Sequence, residues 1–158
     1  MVDKALFSSE TGEWETPQEF YDNLNNIWKF NLDPCATDEN AKCDYYFRKE
    51  DNGLKLDWDL PGCAKGRVFV NPPYGRGISE WVRKAVMEVA RGNAVVVVML
   101  LPARTDTKWW HDWIEPYATK VIFIRGRLKF KGASNPAPFP SVLAIFLQGD
   151  KYDTIYKD

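Results

Sequence analysis

Histidine is almost absent from these 158 residues and cysteine is scarce, with one His111 and only Cys35, Cys43 and Cys63. That set is too small and too scattered for a zinc site, and an odd number of cysteines without a close pair argues against a disulfide framework. The expectation is chemistry without a metal, in a reducing, cytoplasmic compartment. Long apolar runs are missing as well. The longest, residues 94–102, is strand-sized and too short to cross a bilayer. The first residues carry Asp3 and Glu10 and lack the basic-then-apolar order of a secretory signal, so no membrane partner is expected.

Acidic residues are missing from one stretch in particular. None falls between Pro116 and Gly149, which includes Lys120, Arg125, Arg127, Lys129 and Lys131. The formal net charge of -1 therefore conceals a segregation. Residues 1–64 carry six basic and fourteen acidic side chains, whereas residues 65–149 carry thirteen basic and five acidic. A polyanion on one face and a cationic ligand elsewhere would suit that pattern, and so would two solvated faces. What is plentiful is apolar: 45% of residues are hydrophobic and 15% aromatic, with seven Trp. A chain of this length buries about two thirds of its unfolded surface. One domain over residues 1–158, with its core in residues 14–148, is expected, without room for a separate target-recognition domain.

Periodicity sketches the fold. Thr16 and Glu19 have the spacing of a capping box, Pro17 suits the first helical position, and Phe20, Leu24, Ile27 and Trp28 recur at helical spacing. A short strand is expected at 30–33, stopped by Pro34, and residues 34–66 read as loops interrupted by Gly53, Pro61, Gly62 and Gly66. Residues 67–70 read as a buried strand that runs into Asn71-Pro72-Pro73-Tyr74. The next helix carries Ile78, Trp81, Val82, Ala85, Val86 and Val89 on one face and closes at Gly92-Asn93. The aliphatic run 94–101 belongs in the middle of a sheet covered on both faces. A third helix over 106–115 would carry Trp109, Trp110, Trp113 and Ile114, followed by strands at 121–124, 128–130 and 142–147. Alternating β and α elements, then strands alone, predict an α/β fold: a Rossmann-like sheet with flanking helices and a C-terminal antiparallel hairpin.

Asn71-Pro72-Pro73-Tyr74 stands at the carboxyl end of a strand, the edge at which open α/β sheets bind ligands. The motif suits activation of a planar amine such as adenine N6, whose lone pair is delocalised into the ring. Two acceptors on its N–H bonds would draw the nitrogen toward tetrahedral geometry. The Asn71 side-chain carbonyl and the Pro72 backbone carbonyl can be those acceptors. Pro72 and Pro73 stiffen the turn that aims them. Tyr74 offers a flat face for an extruded base. In-line displacement then depends on positioning more than on a strong base, and requires no metal.

At this point the chain resembles the S-adenosylmethionine-dependent amino-methyltransferases, which carry Asp, Asn or Ser before Pro-Pro and an aromatic residue. More closely, it resembles the small phage-type, Dam-like DNA N6-adenine methyltransferase family. The matching residues are Thr16-Pro17, Leu32 to Ala36, Asp57-Trp58, Asn71 to Tyr74, Leu101 to Thr107, Arg125 to Phe130 and Pro138 to Ser141. The resemblance implies a Rossmann-like methyltransferase sheet, S-adenosylmethionine as cofactor and double-stranded DNA as substrate. It also implies Thr16 and Pro17 near the cofactor carboxylate, the Asp33-Pro34-Cys35-Ala36 loop at its methionine end with Asp33 near the amino group, and Asp57, beside Trp58, near the adenine amine. One departure stands out. No glycine occurs between Gly12 and Gly53, so the usual glycine-rich cofactor loop is replaced by Asp33 to Ala36.

Arg125, Arg127, Lys129 and Lys131 alternate with Leu128 and Phe130, so a strand would put the basic side chains on one face, where phosphate contact is expected. Arg76 and Arg104, after sheet strands, are further candidates. The Trp109, Trp110 and Trp113 group reads as helix core, with Trp110 facing differently and open to exposure. Three other readings stay open: methyl transfer to an RNA base or a protein glutamine, methylation of cytosine N4, and a nucleic-acid-binding module with a vestigial pocket.

Overall fold

The computed structural model describes residues 13–149. Helices flank one four-stranded sheet. A helix α1 spans Gln18–Trp28, strand β1 Gly66–Val70, helix α2 Ile78–Ala90 and strand β2 Ala94–Pro102. A π-helical stretch, Trp110–Ile114, then runs into the single turn α3, Glu115–Tyr117, and strands β3, Lys120–Phe123, and β4, Ser141–Leu147, follow.

The sheet has the order β1-β2-β4-β3. β1 runs parallel to β2, with Val70 opposite Met99, and β4 lies antiparallel to both β2 and β3. This is a mixed α/β architecture. β2 stands inside the sheet, as its unbroken aliphatic run requires, and its side chains divide between two cores. Val97, Met99 and Leu101 join α2 through Val82, Ala85, Val86 and Val89. Val96, Val98 and Leu100 face Tyr21 of α1 together with Trp14, Phe130 and Phe139. Period-two alternation against two apolar layers accounts for a strand with no polar side. Among the described residues, no helix is long and apolar enough to cross a membrane.

Several expected elements differ in detail. The strand at 30–33 is reduced to two parallel bridges, Leu32 to Val68 and Asp33 to Tyr46, because Pro34 has no N–H with which to extend a ladder. It still lies beside β1, since the Asn31 N–H donates to the Arg67 carbonyl and Phe69 N–H to the Leu32 carbonyl. The strand at 128–130 does not form. The returning segment carries Pro136, Pro138 and Pro140, which cannot donate to a ladder, and only the Ala137 N–H reaches the Leu128 carbonyl. β3 and β4 thus pair antiparallel, but residues 124–140 join them instead of a tight hairpin turn.

The capping box is also absent. Pro17 is the N-cap itself, which displaces Thr16 one residue outward, and no side chain caps α1. At the third helix, the wide π turn closes with the Glu115 N–H on the Trp110 carbonyl. It turns both Trp109 and Trp110 into the core, so Trp110 is buried, contrary to the exposure that a regular α-helical wheel suggests. α2 does close as expected, with Gly92 in the left-handed region at φ 82° and the Asn93 N–H on the Glu88 carbonyl.

Candidate active site

β1 delivers Asn71 to the carboxyl edge of the sheet, and a cavity of about 870 Å³ opens there. Three short segments wall it: residues 13–16 before α1, the loop 33–37 beside β1, and residues 71–73. Residues 52–54 also line it, with Gly53 against the Pro34 carbonyl. That contact depends on Gly53, where a Cβ would lie 2.1 Å from the Pro34 carbonyl oxygen. Only a residue without a side chain allows so close an approach.

Asn71 is held by two hydrogen bonds. Its Nδ2 donates to the Trp14 carbonyl and, at 2.9 Å, to Thr16 Oγ1. Its Oδ1 is buried and has no partner. Among the described residues, Ser141 Oγ is the other buried side-chain atom in that condition. A buried acceptor left empty costs stability, about 1–3 kcal/mol. Asn71 thus carries an unpartnered acceptor at the end of a sheet strand, beside the cavity.

Asp33 sits 5% exposed on the same wall. Its Oδ1 accepts the Cys35 N–H at 3.3 Å and its Oδ2 the Lys42 N–H at 3.1 Å. Burial outweighs those two bonds and pushes the carboxyl up to about 6. A cation placed beside it would reverse the shift. Burial also drives the Cys35 thiol well above its ordinary range, reinforced by Asp33 and Glu13, which leaves it a protonated, unreactive group.

The structure brings Thr16, Asp33, Pro34, Cys35, Ala36, Asn71, Pro72 and Pro73 to one cavity, and Lys131 to its rim. Pro17, at the start of α1, does not line it. Asp57 is exposed and outside the cavity. Trp58 is a core residue: fully buried, its N–H donates to Glu88 Oε1 and its ring N–H to the Gly53 carbonyl. Tyr74 does not line the cavity; it is half-buried, with its hydroxyl donating to the Leu100 carbonyl at 3.1 Å and its ring edge-on to Phe139 at 5.6 Å. Burial raises its phenol above the ordinary value.

Arg76, Arg104, Arg125, Arg127, Lys129 and Lys131 are all exposed. Arg104 stacks its guanidinium 6.0 Å from the Phe139 ring, and Lys131 pairs with Glu15 at 3.4 Å. Because 125–131 is not a strand, no alternation forces these side chains onto one face. Sequence reasoning missed Trp14, whose contribution is a backbone carbonyl, and Gly53, whose contribution is an absent side chain. It also missed Lys84 and Glu88, a buried pair 3.0 Å apart on α2, at which i,i+4 spacing was the available signal.

Asn71 of Asn-Pro-Pro-Tyr thus presents a buried, unpartnered amide oxygen at the carboxyl end of β1 in a mixed α/β sheet. The chain belongs to the DNA N-6-adenine-methyltransferase (Dam) family, whose model matches residues 4–145. It is 33% identical over 116 residues to a DNA N-6-adenine-methyltransferase of Escherichia phage T1, covering 73% of this chain and 45% of that protein. It is 32% identical over 119 residues to a protein of the same description from Haemophilus phage HP1 (strain HP1c1), covering 73% of this chain and 64% of the relative. A putative methyltransferase of Escherichia coli (strain K12), YfdM, is 39% identical over 64 residues, 39% of this chain and 70% of that one. The chain thus spans about half to two thirds of the length of the first two relatives.

Proposed function

We propose that this protein transfers a methyl group from S-adenosylmethionine to the N6 amine of an adenine flipped out of double-stranded DNA. The observation that carries the reading is the buried Asn71 Oδ1 without a partner. Family membership and the phage relatives named for adenine-N6 methylation support it.

The cavity suits the cofactor by size and charge. Its volume falls within the roughly 300–1,000 Å³ of small-molecule sites. The buried Asp33 carboxyl, held near 6, gains from an ammonium beside it, and the uncapped start of α1 favours a carboxylate. Thr16, Asp33, Pro34, Cys35 and Ala36 would hold the cofactor, with Pro17 shaping the helix start. When bound, it supplies an electrophilic methyl group on a positively charged sulfur. The sheet and its helices are read accordingly as a Rossmann-like methyltransferase core.

Asn71 Oδ1 and the Pro72 carbonyl accept the two N–H bonds of the target amine and free its lone pair. Pro73 keeps the turn rigid, and Tyr74 stacks on the base. Base extrusion costs a few kcal/mol, of which stacking returns about 1–3 kcal/mol. Arg76, Arg104, Arg125, Arg127, Lys129 and Lys131 hold the phosphate backbone. The setting that fits phage relatives is the cytoplasm of a bacterial host.

The test offers labelled S-adenosylmethionine with four acceptors: duplex DNA, single-stranded DNA, RNA and a glutamine peptide. Label entering duplex DNA fastest supports the reading. Label in RNA or peptide, with none in DNA, overturns it.

A further inference from the structure

Asn71 and its two partners carry an inference that rests on the reading above but deepens it. The Trp14 carbonyl can only accept, so the atom of residue 71 that faces it must carry hydrogen. Thr16 Oγ1 takes the second Nδ2 hydrogen at 2.9 Å. Both hydrogens are then engaged, and rotating the amide by half a turn would set Oδ1 against the carbonyl lone pairs. The carbonyl cannot retreat. The Trp14 ring is buried between Phe130 at 5.4 Å and Phe139 at 5.2 Å, and the next carbonyl, of Glu15, accepts the Lys131 N–H at 2.9 Å.

We propose that the Trp14 carbonyl and the Thr16 hydroxyl form a lock that fixes the Asn71 amide with Oδ1 presented to the target amine, making Thr16 a positioning residue for the reaction. The lock also makes position 71 specific for an amide. A carboxylate there, although isosteric and present in other amino-methyltransferases, would meet the Trp14 carbonyl with like partial charges and no hydrogen. Selection at this position is thus made by a backbone carbonyl 57 residues away in sequence.

The experiment compares Thr16→Val, Thr16→Ser and Asn71→Asp with the parent, each checked for parent-like circular dichroism. In the ligand-free protein, the Asn71 side-chain amide protons should exchange slowly with solvent in the parent and in Thr16→Ser. They should exchange at least several-fold faster in Thr16→Val. In single-turnover methylation with S-adenosylmethionine saturating for each variant, Thr16→Val should lose about tenfold in rate, near the upper limit for one neutral hydrogen bond, with DNA affinity unchanged. Thr16→Ser should recover most of that loss. Asn71→Asp should be nearly inactive at neutral pH and gain activity as pH falls, because its protonated carboxyl can again donate to the Trp14 carbonyl. Fast amide exchange in the parent, equal rates for Thr16→Val and Thr16→Ser, or a fully active Asn71→Asp at neutral pH would each overturn the lock. A slowly exchanging amide in a parent that methylates no DNA would uphold the lock and overturn the proposed function instead.

Discussion

Lowering the pH should loosen the cofactor from this protein while relieving strain on the fold, and both effects trace to Asp33. Its carboxyl has an ordinary value of 3.8 and stands at about 6 in the folded chain, because burial outweighs the N–H bonds from Lys42 and Cys35. The folded state therefore holds a proton that the unfolded chain has released across the interval between about 4 and 6. Stability attached to this group is fully present below that interval and is lost as pH rises through it. Two units at about 1.36 kcal/mol each give a penalty of about 3 kcal/mol at neutral pH. Denaturant unfolding between pH 4 and 8 measures it, with Asp33→Asn as reference to cancel the other carboxylates. The parent should lose about 2 kcal/mol relative to the variant between pH 4 and 7, since part of the penalty is already present at pH 4. A bound cationic amino group favours the ionised form, so S-adenosylmethionine affinity should fall up to tenfold per pH unit below 6 in the parent. In Asp33→Asn the affinity should be weak and flat. A flat difference in stability, or affinity in the parent that ignores pH, would refute the assignment of Asp33 as the buried anchor of a cation.

Three further outcomes are expected. Glu88→Ala removes the acceptor for the Trp58 N–H and Asn93 Nδ2 and leaves Lys84 buried without its partner. It should cost about 3–5 kcal/mol and lower the melting temperature by roughly 10 °C or more, read by thermal denaturation; a change under about 2 °C would deny the pair its structural part. Tyr74→Ala should lower kcat/KM on duplex DNA by tenfold or more, and Tyr74→Phe by much less, because the hydroxyl reaches only the Leu100 carbonyl; equal losses would contradict stacking. Neutralising Arg125 and Arg127 together should reduce the salt dependence of DNA binding by a slope of about 1–2, and an unchanged slope would move the DNA face elsewhere.

What the sequence disclosed was whatever local chemistry alone determines. The aliphatic run of β2 required two apolar layers, and the α2 face and its Gly92 stop followed from period and punctuation. Asn71-Pro72-Pro73-Tyr74 pointed to the strand end at which the cavity opens, because Asn71, Pro72 and Pro73 follow β1 directly and line it. The details that failed were settled by distant partners. Thr16 has the spacing of a capping residue, yet Pro17 takes the cap and the Thr16 hydroxyl turns to Asn71. The alternation at 125–131 imitates a strand, but three prolines in the returning chain leave it no ladder. Trp110 required the wider π turn, which no helical wheel predicts. Trp14 acts through a carbonyl that any residue would supply, so no residue type could announce it.

The most direct test of the central claim is nucleoside analysis of unmethylated duplex DNA after incubation with S-adenosylmethionine, run with the intact protein and with Asn71→Ala, while cofactor binding to both is followed by calorimetry. N6-methyladenine should form with the intact protein alone, and cofactor affinity should be similar in both. N4-methylcytosine as the product, or N6-methyladenine formed equally by Asn71→Ala, would contradict the role assigned to the unpartnered Asn71 oxygen.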